Sequence, residues 1–441
     1  MNKVIANMLT IILIFLIIFI ELFRKKDKGK LDILTGINLI YLFCFGIIQL
    51  IFINFDIRPK LNTINPNLAS IDFDNDRYWL AALVSTIGYM FLVLGYFWNS
   101  AKKRKKNVCY KYEINYKNIK IAAIFSFFIG VFANLKYIIL IGGGILEPIR
   151  ISQDLRYNAV LESSGYIRIL QPLIILSCMM YFVLYCEFKK KKFLLFTILT
   201  YIISCYYLLT YAGRLPLFLF LVTIPLYYME KNKKMNLVNM SKIFVVGLLI
   251  LIFGEYVFDL INGISNYSSF DFRTNIYRII VQFSFPYINL LKVPVFVESG
   301  FRCFVDLFTW IINMIPSSIL HLFGMNKVLA SYQLNTNNFL STEAGGVPVD
   351  ILTLGYYQLS IVGVIIFTFI FGRIARYFKD ITSYCADIPV VRLLKVRMFL
   401  FLSLCVMYAD IDVIVKRRIE YWLFAIIILF SIKVLAKDDK N

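Results

Sequence analysis

The stretch VIANMLTIILIFLIIFIELF, Val4–Phe23, runs directly into RKKDKGK, Arg24–Lys30. At a rise of about 1.5 Å per residue, an apolar helix of this length crosses the ~30 Å hydrocarbon core of a bilayer. The basic cluster behind it, with no small-residue cleavage site, marks a retained helix rather than a signal peptide. Similar apolar runs recur, at 31–55, 78–100, 120–141, 169–188, 193–211, 214–229, 242–261, 350–371, 396–414 and 419–436. Together they predict an all-α polytopic membrane protein of about eleven spans, a single membrane domain over 1–441. With 60% hydrophobic and only 17% charged residues, the chain is excluded from the ordinary soluble classes.

The charge is sorted by kind as well as by place. Lys-rich runs at Arg24–Lys30, Lys102–Lys106, Lys189–Lys192 and Lys231–Lys234 border alternate spans and orient them toward the cytoplasm. On that orientation about 30 of the 47 basic residues face inward, about 24 of them Lys, and about 17 face outward, about 11 of them Arg. Lys is a hydrated point charge suited to a lipid surface, whereas Arg forks bidentately onto phosphate or carboxylate. An outer face rich in Arg predicts an anionic substrate there. Anionic headgroups account for the +20 charge better than nucleic acid does, because the basic runs sit beside apolar spans. The eight cysteines show no CxxC spacing, and Cys178, Cys186, Cys205 and Cys405 fall inside apolar spans as core residues.

Three segments are predicted to face outward: about 56–77, about 142–168 and about 262–349. The second holds Arg150, Arg156 and Arg168 as candidate substrate-binding residues. The third places apolar residues at helical spacing in Arg273–Lys292 and Arg302–Phe323, which reads as interfacial helices folded over the membrane mouth. Arg273 and Arg278 stand at its start.

The sharpest local signal is Tyr211-Ala-Gly-Arg-Leu-Pro-Leu217, where Arg214 lies between two apolar spans with almost no loop. An arginine at that depth needs water or an anion, or else it snorkels from an ordinary helix end. Gly213 and Pro216 mark the turn, and the first-turn N–H groups beyond it favour an anion. His321, the only histidine, is a candidate general base, with Glu298, Asp306 and Glu343 as competing carboxylates. Asp72-Phe-Asp74 has the form of a DxD metal pair but lies in a polar loop where such spacing arises by chance. No metal and no cofactor are expected. The pairs Glu255 with Asp259 and Asp410 with Asp412 fit ion pairing to outward arginines better than a proton path.

Tyr211-Ala-Gly-Arg214, the long outer segment, Glu343-Ala-Gly-Gly-Val-Pro348 and Leu354-Gly-Tyr-Tyr-Gln-Leu-Ser-Ile-Val-Gly363 together resemble the Wzy-type O-antigen polymerase family. The resemblance covers topology along most of the chain and rests on two short motifs. It implies an inverting, metal-independent glycosyltransferase of GT-C-like build. Such an enzyme joins polyprenyl-diphosphate-linked oligosaccharide units on the outer face of the cytoplasmic membrane, for O-antigen, capsule or another exopolysaccharide. Its implied partners are the lipid-linked saccharide, the bilayer, a chain-length regulator and a flippase. By position the resemblance assigns Arg156, Arg214, and Arg273 or Arg278 to the diphosphate and saccharide, and Gly345 and Gly346 to substrate binding. His321 is the counterpart of the loop histidine in related ligases, and the proton acceptor stays open. A flippase for the same lipid-linked sugar and a ligase-like transferase are the rival expectations.

Overall fold

The computed structural model describes residues 2–27, 29–55, 77–98, 111–149, 165–210, 214–235, 272–296, 300–339, 347–384 and 388–435, with scattered positions between 238 and 249. Among the described residues the regular secondary structure is helical apart from one two-stranded antiparallel ribbon, in which β1 (Lys111–Ile114) pairs with β2 (Ile432–Leu435). Seven of their helices are long and apolar enough to cross a membrane. They are α1 (Asn2–Phe23), α2 (Ile33–Asn54), α3 (Tyr78–Phe97), α4 (Tyr116–Ile141), α5 (Gly165–Phe188), α6 (Lys191–Thr210) and α12 (Ile351–Tyr384). The protein is therefore an all-α membrane-embedded chain. Three shorter or more charged helices, α7 (Arg214–Lys231), α13 (Pro389–Cys405) and α15 (Ile419–Ser431), run between the same two ends of the bundle. Most of the expected span at 242–261 lies outside the described residues, as do the Asp72–Asp74 and Glu255–Asp259 pairs.

The two ends differ in charge, as the sequence predicts. At one end Asp32 binds Arg24 at 2.7 Å and Lys379 at 3.3 Å, and Glu230 binds Lys395 at 2.7 Å and accepts the Leu31 N–H. Gly29 bridges Met235, and the β1–β2 ribbon lies at the same end. The Lys-rich turns after α1, α5 and α7 thus gather together; this is the lysine end. At the opposite, arginine end stand the close of α6, the start of α7, residues 300–339 and 347–350, and the turn after α13.

Burial would push the Asp32 carboxyl up, but the charges of Arg24 and Lys379 outweigh it and hold it below the usual carboxylate range. A depressed folded value contributes stability above the unfolded value of about 3.9, and that contribution is lost as pH falls through the folded value. Asp32→Asn is therefore expected to lower the melting temperature in detergent at neutral pH. The gap to wild type narrows below about pH 4. An equal gap at both pH values would count against the ion pairs.

Close helix contact in a bilayer depends on small residues, since lipid tails give apolar side chains no reason to leave them. Gly95 of α3 and Gly372 of α12 meet backbone to backbone: a Cβ at Gly95 would strike the Phe369 carbonyl, and one at Gly372 the Leu92 carbonyl. Gly372→Val is expected to cost about 1–3 kcal/mol by forcing the pair apart. Gly165→Ala, where a Cβ meets nothing within 4 Å, is the neutral control in the same melting experiment.

Several predicted elements take a different form. The segment expected as an interfacial helix at Arg273–Lys292 is part of α8 (Phe272–Phe296), whose residues 283–291 are buried. Phe283 packs on Phe43 and Tyr287 on Phe52, both of α2, so this half is a bundle helix. Helical spacing of apolar residues fits either role. The segment Arg302–Phe323 divides at Pro316 into α9 (Asp306–Met314) and α10 (Ser317–Leu322). Helix α9 is inside-out: Asp306, Thr309 and Asn313 are buried while Leu307, Phe308 and Ile311 are exposed. That polarity suits a helix with lipid outside and a polar network inside.

Two expected spans are broken. Helix α12 leaves helical geometry at Leu359 and Ser360, where Ser360 takes φ 53°. The carbonyls freed there, those of Tyr357 and Gln358, accept the N–H groups of Arg302 at 3.0 Å and Cys303 at 3.2 Å. The run expected as one span at 396–414 is α13, a turn at 406–410, and α14 (Ile411–Arg417). The turn pairs with the chain entering α12, Ala409 N–H to the Val349 carbonyl at 2.8 Å.

Candidate functional site: an arginine-lined pocket

A small pocket opens where the middle of α5, the end of α6, the start of α7, the middle of α13 and the α14–α15 junction converge. Its apolar wall is Ile175, Leu208, Pro216 and Phe220, with Tyr207 and Tyr421 beside them. Its charged wall is Arg397, Arg417, Arg418 and Glu420. Helix α13 begins at Pro389, so Arg397 stands about 12 Å along it at the helical rise, at membrane depth. Arg397 is 1% exposed and its guanidinium lies 3.7 Å above the Tyr421 ring. Its Nε and Nη2 have no hydrogen-bond partner. A buried guanidinium with two idle donors costs several kcal/mol unless an anion meets it.

The surroundings reinforce that demand. Arg417 closes α14, while Arg418 caps α15. Pro216 sits in the first turn of α7, so the positive end of that helix also approaches the pocket. Glu420, in the first turn of α15, is 4% exposed, and its Oε2 has no hydrogen-bond partner. Three guanidiniums and one carboxylate leave the wall of this small pocket with a net positive charge, and guanidiniums fork onto phosphate or carboxylate oxygens.

A second cluster holds residues 300–339 and 347–350 onto the bundle. Arg302 binds Asp306 bidentately, Nε to Oδ2 at 2.6 Å and Nη2 to Oδ1 at 2.7 Å. Asp306 also accepts from Gln358 Nε2 at 2.6 Å and from the Ser331 N–H at 3.2 Å, at the start of α11 (Ser331–Phe339). Asp410 accepts from the Ser331 hydroxyl at 2.5 Å, from the Tyr332 N–H at 2.8 Å and from the Val413 N–H at 2.9 Å. Asp350 accepts from Asn289, Thr353 and the Leu352 N–H. These carboxylates carry structure. Asp306 is thereby occupied by Arg302, and Asp412 is paired with Lys416 at 2.8 Å.

The residues singled out from sequence are placed as follows. Arg214 is the first residue of α7, two positions before Pro216 of the pocket wall, and its side chain lies outside the described residues. The same holds for the side chains of Arg273 and Arg278, near the start of α8. Arg168 of α5 stacks 4.3 Å from the Tyr137 ring and reaches the Thr210 carbonyl at 3.5 Å, beside the pocket rather than in it. His321 is exposed in α10 next to exposed Leu322 and Phe323, and does not line the pocket. Arg150, Arg156, Glu298, Glu343, Gly345 and Gly346 lie outside the described residues.

Sequence reading missed Arg397, Arg417, Arg418 and Glu420. The span expected at 396–414 held Arg397 at its second position; the usable signal was the apolar Val390, Val391, Leu393 and Leu394 upstream, which carry the helix further and place Arg397 within it. Among the described residues no group of three or more His, Cys, Asp or Glu could hold a metal ion. No protein-family model, curated protein or solved structure matches the chain.

Proposed function

We propose that this chain is a membrane glycosyltransferase that polymerises polyprenyl-diphosphate-linked oligosaccharide units, with the arginine end facing outward from the cytoplasmic membrane. The observation that carries the reading is Arg397, buried with two idle donors in a pocket shared with Arg417 and Arg418. A glycosyl transfer from a lipid diphosphate builds negative charge on the leaving group, and fixed guanidiniums stabilise that charge without a metal. Gathering of Lys at the opposite end supports the orientation. The product is an O-antigen, a capsule or another exopolysaccharide.

A flippase for the same lipid-linked saccharide is the second reading. The broken helices α12 and α13–α14, paired through Val349 and Ala409, favour it, since discontinuous helices line binding sites in many transporters. Lys395, paired with Glu230, lies two positions before Arg397 on α13; the gathering of the Arg397, Arg417 and Arg418 guanidiniums favours the transferase. Deleting the gene in its host and resolving lipid-linked saccharides by size separates the two. The transferase reading expects single units to accumulate on the outer leaflet with no polymer; units trapped on the inner leaflet would establish the flippase instead.

A further inference from the structure

A polymerising displacement must remove a proton from the attacking hydroxyl, and we propose that Glu420 is the residue that accepts it. This rests on the glycosyl-transfer reading above. A base needs an idle lone pair within reach of the reacting atoms, and at the arginine end most buried carboxylates have none to spare. Asp306 is held by Arg302 and Gln358, Asp350 by Asn289 and Thr353, Asp410 by Ser331, and Asp412 by Lys416. Glu420 alone among these five combines an unpartnered oxygen with a place in the pocket wall. Its helix is fixed at both ends, by the α14–α15 junction and by the β2 strand that follows Ser431.

The charged and titratable groups facing Glu420 are Arg397, Arg417, Arg418, Tyr207 and Tyr421. When a diphosphate enters, its oxygens take up the guanidinium donors and leave Glu420 Oε2 available. The hydroxyl oxygen of the acceptor sugar then bonds to the anomeric carbon of the donor. The bond from that carbon to the diphosphate oxygen breaks, and its electron pair leaves with the diphosphate, facing the arginines. The hydroxyl proton passes to Glu420 Oε2 and is later released to water at the pocket mouth. Charge and atoms balance without an added oxidant, metal or nucleotide.

The test uses the full chain in lipid nanodiscs, supplied with lipid-linked repeat units from its host, with chain growth resolved by size. Undecaprenyl diphosphate alone serves as the binding probe. Glu420→Gln keeps the side-chain shape and is expected to slow elongation on the order of 10²–10⁴-fold. It should bind undecaprenyl diphosphate as tightly as wild type or more so, because a negative charge has left the pocket. Glu420→Asp is expected to retain part of the rate with the acid limb of its pH profile displaced. Elongation by Glu420→Gln at the wild-type rate and with the wild-type pH profile would overturn the assignment while leaving the transferase standing. Loss of growth, probe binding and thermal stability together in Glu420→Gln would make the residue a structural support and equally overturn it. If the wild type itself builds no chains, the transferase reading is what fails.

Discussion

Arg397→Met is expected to abolish polymer while leaving the protein at least as heat-stable as wild type. The two halves of this result have one cause. Arg397 is buried with two idle nitrogens, so its charge is a cost to folding that an apolar side chain of similar volume removes. On the proposed reading the same idle donors meet the anion that leaves during transfer, and removing one such donor typically lowers turnover by about 10²–10³-fold. Arg397→Lys should restore little, since an ammonium cannot supply the planar fork or stack on Tyr421 in the same way. Melting temperature in detergent and polymer length in cells are the two readouts. A Met variant that melts well below wild type would make Arg397 a structural residue, and a Met variant with normal polymer would remove it from the site.

Asp306→Ala is expected to do the opposite, destabilising the fold first and losing polymer as a consequence. Asp306 is 2% exposed and takes up both prongs of Arg302, the amide of Gln358 and the N–H of Ser331. Removing one partner of a buried pair leaves the other charge unmatched, a loss of about 3–5 kcal/mol. Limited proteolysis should then cut between 300 and 339, where wild type resists. Replacing both partners, Arg302→Met with Asp306→Leu, should recover part of the melting temperature because no charge is left stranded. Equal instability of the single and double variants would show that the ion pair is not what anchors this region.

Much of the architecture was readable from residue order, because spanning helices and their flanking charges are local properties. Val4–Phe23 fixes α1 within two residues, and the Lys runs at Arg24–Lys30 and Lys231–Lys234 do meet at one end. The breaks were not readable in the same way. Leu359 and Ser360 sit inside a continuous apolar run that reads as one span, and the break there is supported by carbonyls accepting from Arg302 and Cys303, more than fifty positions earlier. The site was least legible. Arg397, Arg418 and Glu420 meet Tyr207 and Pro216 across about 180 positions of sequence, and nothing local marks that convergence. Arg214 was singled out for lying between two spans, and that reasoning, charge at membrane depth, applies equally to Arg397 once α13 is seen to begin at Pro389.

On the proposed reading, guanidiniums at the arginine end stabilise a departing lipid diphosphate without a divalent cation. The most direct test of this is chain growth by the purified protein in nanodiscs, given lipid-linked repeat units with or without EDTA. The account predicts a ladder of products of undiminished length in EDTA, and none from Arg397→Met. Wild-type growth abolished by EDTA and restored by Mg2+, with the same loss in Asp74→Ala, would place catalysis at the acidic loop and contradict it.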